Sequence, residues 1–302
     1  MGICIIMLII FFSIIGLGLY KYNWQGAFMN NMVEIFSYPA ATVNYHIVKY
    51  SDWQKRYNQL IINKNFYLTQ QDIDLSSLSL PDDATLEKQA LDELIKTQIL
   101  NGLAKKSNVN VSAADIDQAY NDMIGSKYND DDSKIAETLQ KIYGLSIAEF
   151  KTQVIKDYLL RQKLTEKYLA DNNNELDKIA KNIGDSIILQ LKDNADFSDL
   201  AREYSDDEFA LKGGDLGYIS TESLWDFYKT EIEVLTNDEI SDLIKTPDNF
   251  DLHGYYILKV NDERETDGQK QKNIQQIFIG SSIDKLLDKH LTDRAVKYWV
   301  SL

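Results

Sequence analysis

The chain opens on an uncharged, largely apolar run, Ile3 to Tyr20 (ICIIMLIIFFSIIGLGLY), then carries apolar residues mostly at helical spacing, and alternates them briefly after Pro39 and again near its end. The first run, about 18 residues, makes a helix of roughly 27 Å at 1.5 Å per residue, enough to cross a bilayer. An uncleaved membrane anchor is expected over residues 1–22. The competing reading, a cleaved signal peptide, lacks a basic leader here and has too long an apolar region. After Pro39, ATVNYHIVKY has a strand-like alternation, and a helix is expected from Ser51, acting as its cap before Asp52 and Trp53. Behind Pro81 and Asp82–Asp83, the residues Leu86, Ala90, Leu94, Ile95 and Ile99 predict a second helix to Lys106. Ser112 caps a third over AADIDQAYNDMI, a short one covers Asp132 to Tyr143, and GLSIAEFKTQVIKDYLLRQKLTEKYL predicts a fifth. Asn172–Asn174 interrupts two helical runs and reads as a hinge.

Beyond the hinge, Glu175 to Lys192 predicts a helix. Phe197, Leu200, Ala201 and Tyr204 then make one apolar face of a short helix, which Ser205, Asp206 and Asp207 end with side chains that bond to backbone in turns. Gly213, Gly214 and Gly217 predict turns that need positive φ or a close backbone approach. Two strand-like runs follow, GYYILKVNDERE and IQQIFIG, separated by the turn-rich TDGQKQKN. The final stretch, Ser282 to Leu302, is expected to be a helix.

In a chain of 302 residues, a hydrophobic content of 44% supports a packed core in one or two domains. A net charge of −15 argues against nucleic acid as a partner, since phosphate binding needs clustered Lys and Arg. Polypeptides are the expected partners. The single cysteine, Cys4, lies inside the apolar run, so no disulfide framework is available. Three scattered histidines, His46, His253 and His290, make no metal-ligand cluster. No P-loop, zincin, CxxC or nucleophile-elbow pattern occurs, and neither metal nor cofactor is expected.

The stretch FSDLAREYSDDEFALKGGDLGYIS, Phe197 to Ser220, resembles the signature of parvulin-type peptidyl-prolyl isomerases, with an ungapped match through Leu235. Residues 40–172 resemble the helical chaperone module of SurA, PrsA and PpiD. That likeness rests on Val43–Asn44 and Tyr50–Ser51–Asp52, on LDELIKTQILNGLAKKSNVNVSAADIDQAY, and on YGLSIAEFKTQVIKDYLLRQKL. The two together imply an α+β chain, an all-helical SurA-N-like module followed by a small parvulin-like α/β domain over 175–302. A parvulin domain usually begins with a strand that this chain lacks ahead of Glu175. Residues 273–280 resemble it, so a circularly permuted domain is expected, with its first strand supplied from the far end.

Carried over by position, the resemblance places a proline pocket on Leu216, Ile219, Leu224 and Tyr228, and an acidic group on Asp207. In any arbitrary protein such apolar residues are more often plain core. The two histidines usual in the family fall on Tyr256 and Gln276, neither of which titrates near neutral pH. Weak or absent isomerase activity is therefore expected, in a membrane-anchored, extracytoplasmic folding factor of the cell membrane that holds unfolded polypeptides. An active isomerase with substituted polar partners, or a scaffold for one fixed partner, are the alternatives.

Overall fold

The computed structural model describes residues 2–22, 24, 26–43, 46–69, 80–128, 131–171, 174–266, 268–293 and 296–300, with side chains left aside at 2–6, 8, 9 and 293. The Cys4 side chain, Asn44, Asn172 and Asn173 lie outside the described residues. The chain divides into two compact units, residues 1–164 with 287–302, and residues 165–286.

The first unit begins with α1 (Gly2–Tyr20) and α2 (Ala27–Ile35), then β1 (Pro39–Val43) and β2 (His46–Lys49). It continues with α3 (Tyr50–Leu68), α4 (Asp83–Lys106), α5 (Ala113–Met123), α6 (Asp132–Tyr143), α7 (Ile147–Phe150), a π-helical turn at Lys151–Ile155, and the start of α8 (Lys156–Leu169). Of the caps read from sequence, Ser112 holds, and Asp82, of the pair expected to open α4, caps as well. Asp82 accepts from Thr85 N at 2.8 Å, and Ser112 and Asp115 form a reciprocal capping box. Ser51 does not cap: α3 starts one residue earlier, behind Lys49, whose side chain makes no cap bond. Trp53 Nε1 donates to Glu87 O at 2.9 Å, fixing α3 on α4, while Leu86, Ala90, Ile95 and Ile99 are buried at the helical period expected; Leu91 is buried with them, and Leu94 is only partly buried.

Among the described residues no helix is long and apolar enough to cross a membrane. The expected anchor over 1–22, and with it the single-pass cell-membrane location, is corrected accordingly. The described side chains of α1 show what its apolar surface does instead. Ile15 and Leu19 are buried, Phe12 packs edge-on to Phe36 at 4.6 Å, and Tyr20 Oη donates to Pro39 O at 2.8 Å. This end of the helix is thus part of the unit's own core.

The second unit contains α9 (Glu175–Lys192), α10 (Phe197–Tyr204), β3 (Asp215–Ser220), α11 (Asp226–Val234), β4 (Ile244–Lys245), β5 (Gly254–Thr266) and β6 (Gln269–Gly280). The four strands form an antiparallel sheet in the order β3-β6-β5-β4. Strand alternation sends Tyr255, Ile257, Ile277 and Ile279 to the face covered by α9 and α10, and Tyr256, Leu258, Val260, Ile274 and Phe278 to the face covered by α11. The run read as 273–280 is the inner part of β6, hydrogen-bonded on both sides.

α12 (Ile283–Asp293) follows, and then β7 (Val296–Tyr298), where the sequence reads as continuing helix. β7 pairs antiparallel with β1 in a three-stranded sheet of order β2-β1-β7. Residues 287–302 therefore group with the first unit, a difference from the expected span of 175–302. The cause is a strand pairing across more than 250 positions, which local pattern does not carry.

Candidate functional site

The Ser-Asp-Asp turn after α10 works as an irregular strand laid along β6. Ser205 Oγ accepts from Phe278 N at 2.9 Å, Asp206 N donates to Phe278 O at 2.8 Å, and Asp206 Oδ2 accepts from Gly280 N at 2.8 Å. The same register brings Asp207 Oδ2 to 2.5 Å from Gln276 Nε2, which donates to it. From the other side, Gln276 N donates to Gly214 O at 2.9 Å. Gly214 has φ 78°, and a Cβ there would stand 2.2 Å from Gln276 O. The glycine turn is therefore a condition for β3 to approach β6 at the residue that faces Asp207.

Period-two alternation places Lys272, Ile274, Gln276 and Phe278 on the α11 face. Tyr228 Oη, carried by α11, donates to Gln276 Oε1 at 2.5 Å. Asp207, Gln276 and Tyr228 thus form one hydrogen-bonded chain, ended by Phe209 N, which donates to Asp207 Oδ1 at 3.0 Å. Burial, then the nearby Tyr256 and Asp207, push the Tyr228 phenol well above its ordinary value. Burial, with Asp207 second, pushes Tyr256 up to about 12. Both are neutral donors at physiological pH.

Every site residue expected from sequence is on this face. Leu216, Ile219 and Leu224 are partly buried against the cluster that holds Tyr228 and Tyr256, and Tyr256 packs edge-on to Tyr228 with centroids 5.5 Å apart. Three aromatic residues that sequence reasoning missed complete the wall. Phe227 lies 6.3 Å from Tyr256, Phe250 lies 5.3 Å from Phe227, and half-exposed Trp225 lies 4.8 Å from Phe250. Their signal was available in part, since Trp225 and Phe227 flank the predicted pocket residues. Phe250 comes from the loop Thr246 to His253 and packs on the aromatic pair Trp225 and Phe227.

Buried Lys272 supports the site from beneath. Its Nζ donates to Ile232 O at 2.8 Å and Leu235 O at 2.6 Å, the free carbonyls at the end of α11, and pairs with Glu263 at 2.9 Å. A separate cavity of ≈ 460 Å³ lies on the opposite sheet face, beside α9 and Leu243. It contains none of these residues. Among the described residues no group of His, Cys, Asp and Glu could hold a metal ion.

A family model described as "SurA-like N-terminal domain" matches residues 1–165, and one described as "PPIC-type PPIASE domain" matches residues 155–264. The chain is 28% identical over 226 residues to the chaperone SurA of Sodalis glossinidius (strain morsitans), covering 62% of this chain and 51% of that protein. It is 23% identical over 255 residues to the chaperone SurA of Legionella pneumophila (strain Paris), covering 72% and 58%. The chain spans about half the length of the curated relatives it matches. Among solved structures, the peptidylprolyl isomerase PrsA of Bacillus anthracis is 21% identical and covers 67% of this chain and 86% of its own, with a TM-score of 0.23. That superposition adds nothing to the fold described above.

Proposed function

Because the chain belongs to the family defined by the SurA-like N-terminal domain, with a PPIC-type domain behind it, we propose that it is a protein-folding factor that holds unfolded polypeptides. In this reading the parvulin-like domain is degenerate as a catalyst and retained as a binding site. The observation that carries it is the closed chain Asp207–Gln276–Tyr228, in which the polar groups flanking the pocket bond to one another. Prolyl isomerisation must weaken an amide resonance with a barrier of about 18–20 kcal/mol. Groups already committed to each other, with no imidazole to exchange protons near neutral pH, offer little help to that step.

The domain is also read as circularly permuted. β6 lies inside the sheet, and the PPIC-type match ends before it, at residue 264. Ser281 Oγ donates to Asp177 Oδ1 at 2.9 Å, so the end of β6 lies one hydrogen bond from the start of α9, where a strand-to-helix connection of the usual order would run.

An active isomerase is the second reading, favoured by the apolar wall that Leu216, Ile219 and Leu224 make beside Tyr228. Two assays on the full chain separate the readings. Suppressed aggregation of several unrelated denatured proteins, with little acceleration of a prolyl tetrapeptide, is expected. Acceleration more than about a hundredfold above a Tyr228→Ala control, against an uncatalysed reaction of tens to hundreds of seconds, would replace the first reading with the second.

A further inference from the structure

One side of α1 is seated in its own unit and the other is open. Met7, Ile10, Ile14 and Leu17 alternate spacings of three and four residues, the seam by which one helix packs along another, and Phe11 flanks it. These five are between 41% and 58% exposed, while Ile15 and Leu19, on the helix's inner side, are buried. Trp24 prolongs the seam. It lies so close over Gly18 that a Cβ there would stand 2.3 Å from its ring, and half-exposed Tyr22 stacks on it with centroids 6.5 Å apart. No residue of α1 carries a charge. Seven half-exposed side chains, each offering on the order of 100 Å², leave about 700 Å² of apolar surface open on one copy. That exceeds the roughly 300–600 Å² of the largest patch on an ordinary monomer.

We propose that this face is the interface between two copies of the chain, with α1 packed on α1 across a two-fold axis. The partner that fits such a seam is a helix with the same three-four spacing and no charge to strand in an apolar contact, and the second copy's α1 supplies both. A two-fold contact uses one patch twice, so the seam needs no complement elsewhere on the molecule. Two faces of this size bury about 1,400 Å² together, within the roughly 1,200–2,000 Å² of stable interfaces. An extended polypeptide repeats every two residues and follows a helical seam for only part of its length. A helix lying on a lipid surface carries a charged face, which α1 lacks on either side.

The test is sedimentation velocity of the full chain at about 20 μM, where an interface of micromolar affinity or better is largely formed. Wild type is expected to sediment as a dimer, and its melting temperature to rise with concentration. Ile14→Glu puts a carboxylate into the seam from both copies and should weaken association at least about tenfold, with the thermal transition kept. The same change at Leu189, an exposed leucine of the second unit, should leave the dimer as it is. A photoreactive benzoylphenylalanine in place of Leu17 should cross-link to α1 of a second copy, and this arm stands even if Ile14→Glu unfolds. A monomer at that concentration, a dimer that Ile14→Glu leaves intact, or cross-links from position 17 that go to an added denatured protein or to phosphatidylglycerol vesicles in place of a second α1 each overturn the proposal. A monomer that still suppresses aggregation leaves the folding-factor reading standing.

Discussion

Gly214 has no room for a side chain: its φ is 78° and the space where a Cβ would go is filled by the backbone oxygen of Gln276. Gly214→Ala is expected to cost about 2 kcal/mol or more, read by urea unfolding, because strain and backbone contact act together. The positive φ of Gly213, Gly214 and Gly217 was legible from the Gly-Gly-Asp-Leu-Gly pattern. That Asp207, Gln276, Tyr228 and Tyr256 lie together on one face of the sheet was legible, because an ungapped motif and a period-two strand fix their faces. That Gln276 bonds to both Asp207 and Tyr228 was not, since the orientation of an amide follows from its neighbours in space. Lys272 was equally hidden. In QKQKN it reads as a turn residue, whereas its ammonium is buried under the end of α11.

Among elements, α11 depends on that lysine, since Ile232 O and Leu235 O are terminal carbonyls that the helix itself cannot pair. Lys272→Met is expected to destabilise the second unit by about 1–3 kcal/mol in urea unfolding, the cost of leaving buried acceptors unmade. In the first unit, α7 starts with a capping box of Ser146 and Glu149, and Glu149 also pairs with Lys55 at 2.5 Å. The Lys55 ammonium first, and the Ser146 backbone and hydroxyl next, hold Glu149 down at about 2. A carboxyl depressed on folding contributes stability that is whole above its unfolded value, about 4.3, and disappears as pH falls through its folded value. Wild type should therefore lose more melting temperature than Glu149→Gln between pH 4.5 and 2. The difference should shrink in high salt, since Lys55 is exposed and Glu149 partly so. The long helices were legible here because their apolar spacing and caps agree. The strand character of the stretch after Pro39 was legible too, though not its division into β1 and β2, and the π-helical turn at Lys151–Ile155 was not, since one widened turn leaves no periodic trace.

At the scale of the molecule, the first unit is discontinuous in sequence, closed by residues 287–302 after the second has intervened. Deletion of residues 296–302 should leave β1 with one partner strand. Hydrogen exchange is expected to show lost protection at Thr42, which lies on the same side of β1 as Ala40, whose carbonyl accepts from Trp299 N, with the β5–β6 amides unchanged. Equal loss in both units would contradict this division. Two domains could be read from composition and motif, but not this closure, because VKY is too short to announce a strand.

β7 has a further consequence during synthesis. Translation at about 5–20 residues per second separates the emergence of β1 from that of its last neighbour by roughly 10–50 s. Throughout that wait the nascent β1 presents a bare row of amides and carbonyls, the kind of edge that recruits other extended chains. A protein read here as a guardian of unfinished polypeptides thus passes through the same vulnerable stage itself, and a ribosome-stalled version ending before residue 296 should be more prone to association than the released chain.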